Sequence, residues 1–364
     1  MPAKSGDPRP LARRVCCDPP LQGREIIVLG YDPAQLPGGV STTTTTLLQS
    51  MPNARLHPIK HCYGPLDIWL YAVSLVRFGG VVLRRRKSIL THLIVGSRGD
   101  RVRAIPILLL CALFRVPLCI QYHTSAANMV LKPGSRRDRL IDRIFWLADL
   151  HVFLSPALRT EFVNRTAVIG RSLIIPNALK PAWMNQPITP LEERDIDVVY
   201  FGRWAPEKGV AVLLEYMRST STPPRCEIYS DQACDIGIKN VVVKPWVPEH
   251  EVRAILNRSK LLVLPSYAEA YPTVILEALA CGTPFVATNV GGIPDIANAS
   301  EAGVLIEPGD WATLGHSIEM MLASPEDWTR CSQFGHAWAN KTCDAGRVAS
   351  LWREAYRELA KERP

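Results

Sequence analysis

The run from Pro265 to Ile296, PSYAEAYPTVILEALACGTPFVATNVGGIPDI, constrains the fold more than any other stretch of the chain. It reads as strand end, loop, short helix, tight turn, strand, glycine turn and helix start. Pro272 suits the first turn of a helix, where no N–H is needed, and Gly282 suits its end. Thr273 to Cys281 then makes two to three helical turns. Apolar strands joined through helices argue for a parallel sheet covered on both faces.

The same alternation runs through most of the chain. Arg24 to Gly30, REIIVLG, is an apolar run ending in glycine and reads as a first buried strand. A loop from Tyr31 to Val40 follows, then a helix from Ser41 to Gln49 with Ser41 as its expected cap. Strands are expected at His92–Val95, Pro117–Tyr122, Leu150–Leu154 and Ser172–Pro176. Helices are expected at Arg101–Phe114 and Arg137–Ala148. Residues 178–195 carry prolines and no periodicity, and read as a linker. Beyond it, strands at Asp197–Phe201, Arg225–Tyr229, Val241–Val243, Leu261–Leu264 and Pro284–Thr288 alternate with helices. Arg347 to Lys361 has Val348, Leu351, Trp352, Tyr356 and Leu359 near helical spacing. The expected plan is a tail over 1–23, an N-terminal domain over 24–180, and a C-terminal domain over 181–346. The terminal helix 347–361 is expected to pack back on the first domain. Both domains are α/β and doubly wound, facing each other across a cleft, and 364 residues suffice for two cores.

Charge divides unevenly. Residues 1–180 hold 25 Lys/Arg against 10 Asp/Glu, and residues 181–364 hold 17 against 24. The basic half, with Arg84, Arg85, Arg86 and Lys87, then Arg98, Arg101 and Arg103, and then Arg136, Arg137 and Arg139, fits either a solvated face or an anionic membrane surface. Nucleic acid is not expected, because no binding motif or interleaved aromatic pattern accompanies the cations. The ten cysteines form no CxxC pair and read as reduced thiols, with Cys111, Cys119 and Cys281 in the core. The apolar segment Ala104–Ile120 is interrupted by Arg115 and Pro117 and reads as a buried helix and strand. No membrane span is expected, and the location is expected to be cytoplasmic, with peripheral attachment open.

Several residues can carry chemistry. Glu269 lies in the loop before the Thr273 helix, and Glu277 lies one turn into it, so two carboxylates flank a helix N-terminus that attracts anions. In VVYFGRWAPEKG, Arg203 and Lys208 follow a strand and can grip a diphosphate, one in a bidentate manner and the other as a point charge. Gly38 and Gly39 follow the first strand and permit close backbone approach to a ligand. His123 follows a buried strand and suits positioning and hydrogen bonding. Asp195 and Asp197 form a DxD pattern, but they precede a strand instead of ending one. No metal is implied.

The string EAYPTVILEALACGTPFVAT, together with Arg203 and Lys208 at their distance from it, resembles the retaining nucleotide-sugar glycosyltransferases of family 4, which have the GT-B fold. The resemblance is strong over 197–310 and fainter over 24–180. It implies a UDP-, GDP- or ADP-sugar donor, no cofactor and no required metal. By it, Glu277 would hold the ribose hydroxyls and Glu269 the hydroxyls of the donor sugar. Backbone N–H groups near Ala270, Tyr271, Pro272 and Thr273 would face the sugar and phosphates. Arg203 and Lys208 would hold the diphosphate, Gly38 and Gly39 would face the donor phosphates and the acceptor, and His123 would lie near the donor sugar. Ala270 stands where the family more often has glycine. Lys244-Pro245-Trp246 also departs from the usual glycine near the nucleobase. The basic half suggests a lipid-linked or polysaccharide-precursor acceptor. A GT-B epimerase or phosphorylase, or a catalytically silent sugar-nucleotide binder, is the alternative.

Overall fold

The computed structural model describes residues 24–362 except 37, 63, 130–134 and 167–169. The expected tail over 1–23 lies outside the described residues.

The first unit runs β1 (Glu25–Tyr31), α1 (Gly39–Ser50), β2 (Ala54–Lys60), α2 (Leu66–Arg85), β3 (Ile89–Val95) and α3 (Arg98–Phe114). It continues with β4 (Leu118–Tyr122), α4 (Ala126–Met129), α5 (Arg136–Phe145), β5 (Leu150–Phe153), α6 (Pro156–Arg165) and β6 (Ser172–Ile174). Its six strands are all parallel, in the order β2-β1-β3-β4-β5-β6. The second unit runs β7 (Ile196–Phe201), α7 (Val210–Ser219), β8 (Cys226–Ser230), β9 (Val241–Pro245), α8 (Glu249–Arg258) and β10 (Ser259–Leu264). Then come α9 (Thr273–Ala280), β11 (Phe285–Thr288), α10 (Ile293–Ser300), β12 (Gly303–Ile306), α11 (Trp311–Ala323) and α12 (Pro325–Thr342). Its parallel order is β12-β11-β10-β7-β8-β9. In both sheets the order reverses once, between β1 and β3 and between β7 and β10. Such a reversal opens a crevice beyond the carboxyl ends of the strands.

The last helix, α13 (Ala345–Glu362), leaves the second unit and packs on the first. Val348, Trp352, Tyr356 and Leu359 join Ile26, Val28, Leu90 and Cys119 in one buried cluster. Trp352 stacks on the His92 ring with centroids 4.5 Å apart, and the Tyr356 hydroxyl lies 2.6 Å from His92 Nδ1. The opposite face of that sheet is covered by α2, α3 and α5, through Phe78, Val82, Ile107, Leu108, Ile141 and Phe145. Cys111, Cys119 and Cys281 are buried.

Where the linker meets the second unit, the buried guanidinium of Arg194 donates to the carbonyls of Thr189, Leu256 and Cys281 and to Thr283 Oγ1. At the waist, α6 docks on α10: the Ala157 N–H donates to Asp295 Oδ2 at 2.8 Å, and Leu158 enters the second unit's core.

Three expectations change. Helix α1 begins at Gly39 with Gly38 as its cap residue, so Ser41 sits inside the first turn, where its hydroxyl donates to Leu36 O. Pro272 caps α9 in an extended conformation and is not its first helical residue. Residues 51–88, for which no element was expected, form β2 and α2. Helix α2 is long and apolar enough to cross a membrane by length and composition alone. Its glycine pair and Arg77 obscured the helical period in the sequence.

Candidate functional site

The turns that follow β7 and β10 meet at the reversal point of the second sheet. Neighbouring strands carry them, so their side chains converge. After β7, Gly202 and Arg203 lead through a tight turn to Lys208 and Gly209. Gly209 has φ +68°, and a Cβ there would lie 1.8 Å from Pro265 O. Only glycine lets the Lys208 turn lie against the β10 turn so closely. The Tyr267 N–H then donates to Glu207 O at 2.9 Å and ties the two turns together.

Lys208 Nζ lies 2.7 Å from Glu269 Oε1, and Ser266 Oγ donates to the same oxygen at 2.8 Å. Both charged side chains are largely covered, which strengthens the pair relative to one in open water. Arg203 stands apart: its guanidinium is exposed and 3.1 Å from Glu207 Oε1. It lies one turn from Lys208 and free to swing, as exposed ion pairs are weak.

Behind this pair, a glycine turn supports the backbone of the Glu269 loop. Gly291 has φ +56°, and a Cβ there would meet Glu269 O at 1.9 Å. The Gly292 N–H donates to Ala270 O at 2.7 Å. Ala270 does not adopt a positive φ, so its Cβ brings no backbone strain where glycine was the expected residue. Tyr271 is buried, and its carbonyl accepts from Asn177 Nδ2 at 3.0 Å, linking the loop to the end of the first unit.

Helix α9 opens with no side-chain cap, so its first N–H groups are left for an outside acceptor such as a phosphate. Gly39 closes on this opening from the first unit: a Cβ on it would meet Thr273 Oγ1 at 3.5 Å. Gly38, at φ +147°, has open space beside it. One turn into α9, Glu277 is half-buried, and among the described residues its carboxylate has no hydrogen-bond or ion-pair partner. Burial, and then the Glu249 carboxylate, push it up to about 7, while Lys180 pulls the other way. A lone half-buried carboxylate of this kind is suited to accept hydroxyls from a ligand.

His123 follows β4, and its N–H donates to Val95 O at 2.8 Å. Burial pushes its ring down to about 4, so it is neutral near pH 7 and can donate or accept but is not a cation. The structure thus brings Lys208, Glu269 and Ser266 together, sets Gly39 against Thr273, and leaves Arg203, Glu277 and His123 without contact to one another. Ser266 was missed in the sequence, although it is a hydroxyl at a strand end three residues before Glu269. The DxD carboxylates belong elsewhere. Asp195 pairs with Arg258 and Arg225 and Asp197 with Lys260, at the start of β7 and away from the crevice.

Residues 182–338 match the model of the glycosyl transferases group 1. That match spans most of the second unit. TuaC of Bacillus subtilis (strain 168), a glycosyltransferase provisionally assigned to teichuronic acid biosynthesis, is 36% identical over 131 residues, which is 35% of this chain and 33% of that protein. The D-inositol 3-phosphate glycosyltransferase of Paenarthrobacter aurescens (strain TC1) is 34% identical over 133 residues, 34% of this chain and 30% of that one. The chain therefore spans about a third of the length of the curated relatives it matches. Among solved structures, sucrose-phosphate synthase from Thermosynechococcus elongatus superposes with a TM-score of 0.73 at 18% identity, covering 93% of this chain and all of that one. Anabaena HepE in complex with UDP-glucose gives 0.69 at 16%, covering 91% and 99%. Two parallel six-stranded sheets in these orders, together with those likenesses, make the fold GT-B.

Proposed function

We propose that the protein transfers a sugar, with retention of anomeric configuration, from a nucleoside-diphosphate sugar to an acceptor hydroxyl. The observation that carries this reading is the convergence of Lys208, Glu269 and the uncapped start of α9 at the reversal point of the group 1 domain. Cations and helix N–H groups there suit a diphosphate, and carboxylates suit sugar hydroxyls. Glu277, lacking a protein partner, receives the ribose. Glu269, steadied by Ser266 and Lys208, receives the donor sugar. UDP is the first base to try, since the HepE structure named above holds UDP-glucose.

In the transfer, the sugar–phosphate bond breaks as the acceptor oxygen bonds to the sugar, and the departing diphosphate oxygen takes the acceptor's proton. Lys208, Arg203 and the α9 N-terminus take up the leaving charge, and the neutral His123 and the Gly38–Gly39 turn orient sugar and acceptor. Charge stabilisation and positioning supply most of the acceleration. No cofactor or metal takes part. The acceptor is a lipid-linked or polysaccharide-precursor glycan, a reading supported by the likeness to TuaC. A cytoplasmic location is supported by cysteines that are free thiols among the described residues.

The test is thermal stabilisation by UDP, GDP and ADP and their sugars, since a ligand of the native state raises stability by mass action. A shift with one nucleotide that Glu277→Ala abolishes supports the donor site, and no shift with any of them overturns it. Donor turnover that needs an added glycan acceptor supports transfer. Epimerisation or phosphorolysis without one overturns it.

A further inference from the structure

The outer faces of α2, α3 and α5 carry a pattern that the transfer chemistry does not use. On α2, Asp67, Ser74, Phe78 and Val82 are buried against the sheet and α3. On the opposite side Trp69, Ala72, Val76 and Leu83 follow helical spacing and are exposed, Val76 by 77%. On α3, Val102, Leu109 and Leu113 repeat the stripe, with Leu113 75% exposed. On α5, Leu140 stands between Arg136 and Arg143, with Trp146 52% exposed just beyond. Helix α3 packs between α2 and α5, so the three stripes lie side by side.

Charge on this face has one sign. The acids of the three helices are withdrawn: Asp67 pairs with Arg103, Asp138 and Asp142 clamp the buried Arg101, and Asp100 accepts from Ser97 Oγ and the Gly96 N–H. Arg77, Arg84, Arg98, Arg136, Arg139 and Arg143 are exposed, and these helices present no exposed acid beside them.

We propose that this three-helix face docks on an anionic lipid bilayer. The apolar stripes enter the headgroup–acyl boundary, the tryptophans sit at its level, and the arginines reach the phosphates. Helix α2 lies in the plane of the interface and does not cross it, because Phe78 and Val82 are sealed in the core and leaving would strip that face. A second copy of the chain is a poor occupant: a two-fold contact would set arginines against arginines with no carboxylate between them. Helices α2 and α3 start at the carboxyl ends of β2 and β3, so the face adjoins the crevice from which an acceptor enters. The proposal stands independently of the sugar-transfer reading.

The test is co-sedimentation of the full chain with vesicles of phosphatidylcholine alone and of phosphatidylcholine with phosphatidylglycerol, at low and high salt. Binding to the anionic vesicles is expected, weakened by salt. Arg136→Glu with Arg139→Glu and Arg143→Glu, and separately Trp69→Glu with Val76→Glu and Leu113→Glu, are each expected to lower the partition coefficient about tenfold or more. All six sites are exposed, so circular dichroism is expected to show unchanged folding. A measurement that does not depend on those variants is quenching of tryptophan fluorescence by brominated lipid, expected to fall in Trp69→Leu. No binding to anionic vesicles at low salt, or equal binding by wild type and both triple variants, overturns the proposal. So does a dimer in sedimentation velocity that both triple variants dissociate.

Discussion

Lys208 Nζ stands 2.7 Å from Glu269 Oε1, and the two residues reach each other from turns that follow the neighbouring strands β7 and β10. The pair is held at the one place where the strand order of the second sheet reverses. Ser266 shares the Glu269 oxygen, so the carboxylate is fixed even when the cation is drawn to a ligand. Lys208→Ala and Arg203→Ala are each expected to lower turnover by about two to three orders of magnitude, the scale of losing a donor to a developing anion. Steady-state kinetics with the donor found by thermal shift checks this. Near-normal turnover in both variants would remove the assigned role.

Glu277 gives a pH signature. Its carboxyl is pushed up to about 7 in the folded protein, first by burial and then by Glu249, while an unfolded glutamate titrates near 4.5. Between those values the folded state holds a proton that the unfolded state has lost, so this group's contribution to stability falls as pH rises from about 4.5 to 7. Above about 7 the cost is constant. Glu277→Gln is therefore expected to be more stable than wild type at pH 8, by roughly 1–3 kcal/mol after allowing for partial exposure, and to match it near pH 4. If the ionised carboxylate receives the ribose, nucleotide affinity is also expected to rise through pH 7 in wild type and to stay flat in Glu277→Gln. Denaturant unfolding at pH 4 and pH 8 reads the stabilities, and calorimetric titration from pH 5.5 to 8.5 reads the affinities.

Asp195 and Asp197 are engaged by Arg258, Arg225 and Lys260 at the far end of β7. Transfer is expected to survive chelation by EDTA, and Asp197→Asn to leave turnover within about twofold while costing up to ~1 kcal/mol of stability, the scale of a half-exposed ion pair. A loss of activity on chelation that manganese or magnesium restores would overturn metal independence.

Much of this was legible in the sequence where local signals agree. The strand–turn–helix runs around Arg203 and Glu269 carry proline, glycine and apolar spacing in register, and β7 to β11 follow from them, whereas β12, α11 and α12 were not expected. Residues 51–88 were silent because β2 carries a proline and alternates weakly, while α2 hides its period behind Gly79, Gly80 and Arg77. The Lys208–Glu269 pair joins positions 61 apart, and nothing local shows that their turns share a reversal point. The burial that raises Glu277 comes from packing, which spacing does not report. Ser41 read as a cap because serine favours that place, but the glycine before α1 took it.

The glycine turns under the site are expected to be intolerant of any side chain. A Cβ on Gly291 would meet Glu269 O at 1.9 Å, and one on Gly209 would meet Pro265 O at 1.8 Å, both at positive φ. Backbone atoms cannot move aside as a flexible side chain can, so Gly291→Ala and Gly209→Ala are expected to cost about 2–4 kcal/mol and to displace the Glu269 loop. Denaturant unfolding measures the first effect and nucleotide thermal shift the second. Gly38→Ala, with open space around it, is expected to cost less than either.

The final helix makes the stability of the first unit depend on the last residues of the chain. Trp352 is 2% exposed and stacks on His92, whose Nδ1 lies 2.6 Å from the Tyr356 hydroxyl and whose Nε2 faces Gln121. Trp352→Ala removes a large buried ring between helix and sheet, so about 3–5 kcal/mol of destabilisation is expected. Tyr356→Phe keeps the packing and takes away one buried hydrogen bond, so a smaller loss of ~1–2 kcal/mol is expected. Burial pushes His92 down to about 3, far below an unfolded histidine, so the unfolded state binds the extra proton first. The stability that this buried neutral ring supports is therefore lost as pH falls below about 6.5, in the window where the unfolded ring charges. Melting of the wild type between pH 7.5 and 4.5 is expected to fall more steeply than that of His92→Gln, which cannot titrate. Parallel slopes in the two proteins would place the acid sensitivity elsewhere, and a Trp352→Ala protein as stable as wild type would show that α13 is not bound to the first sheet.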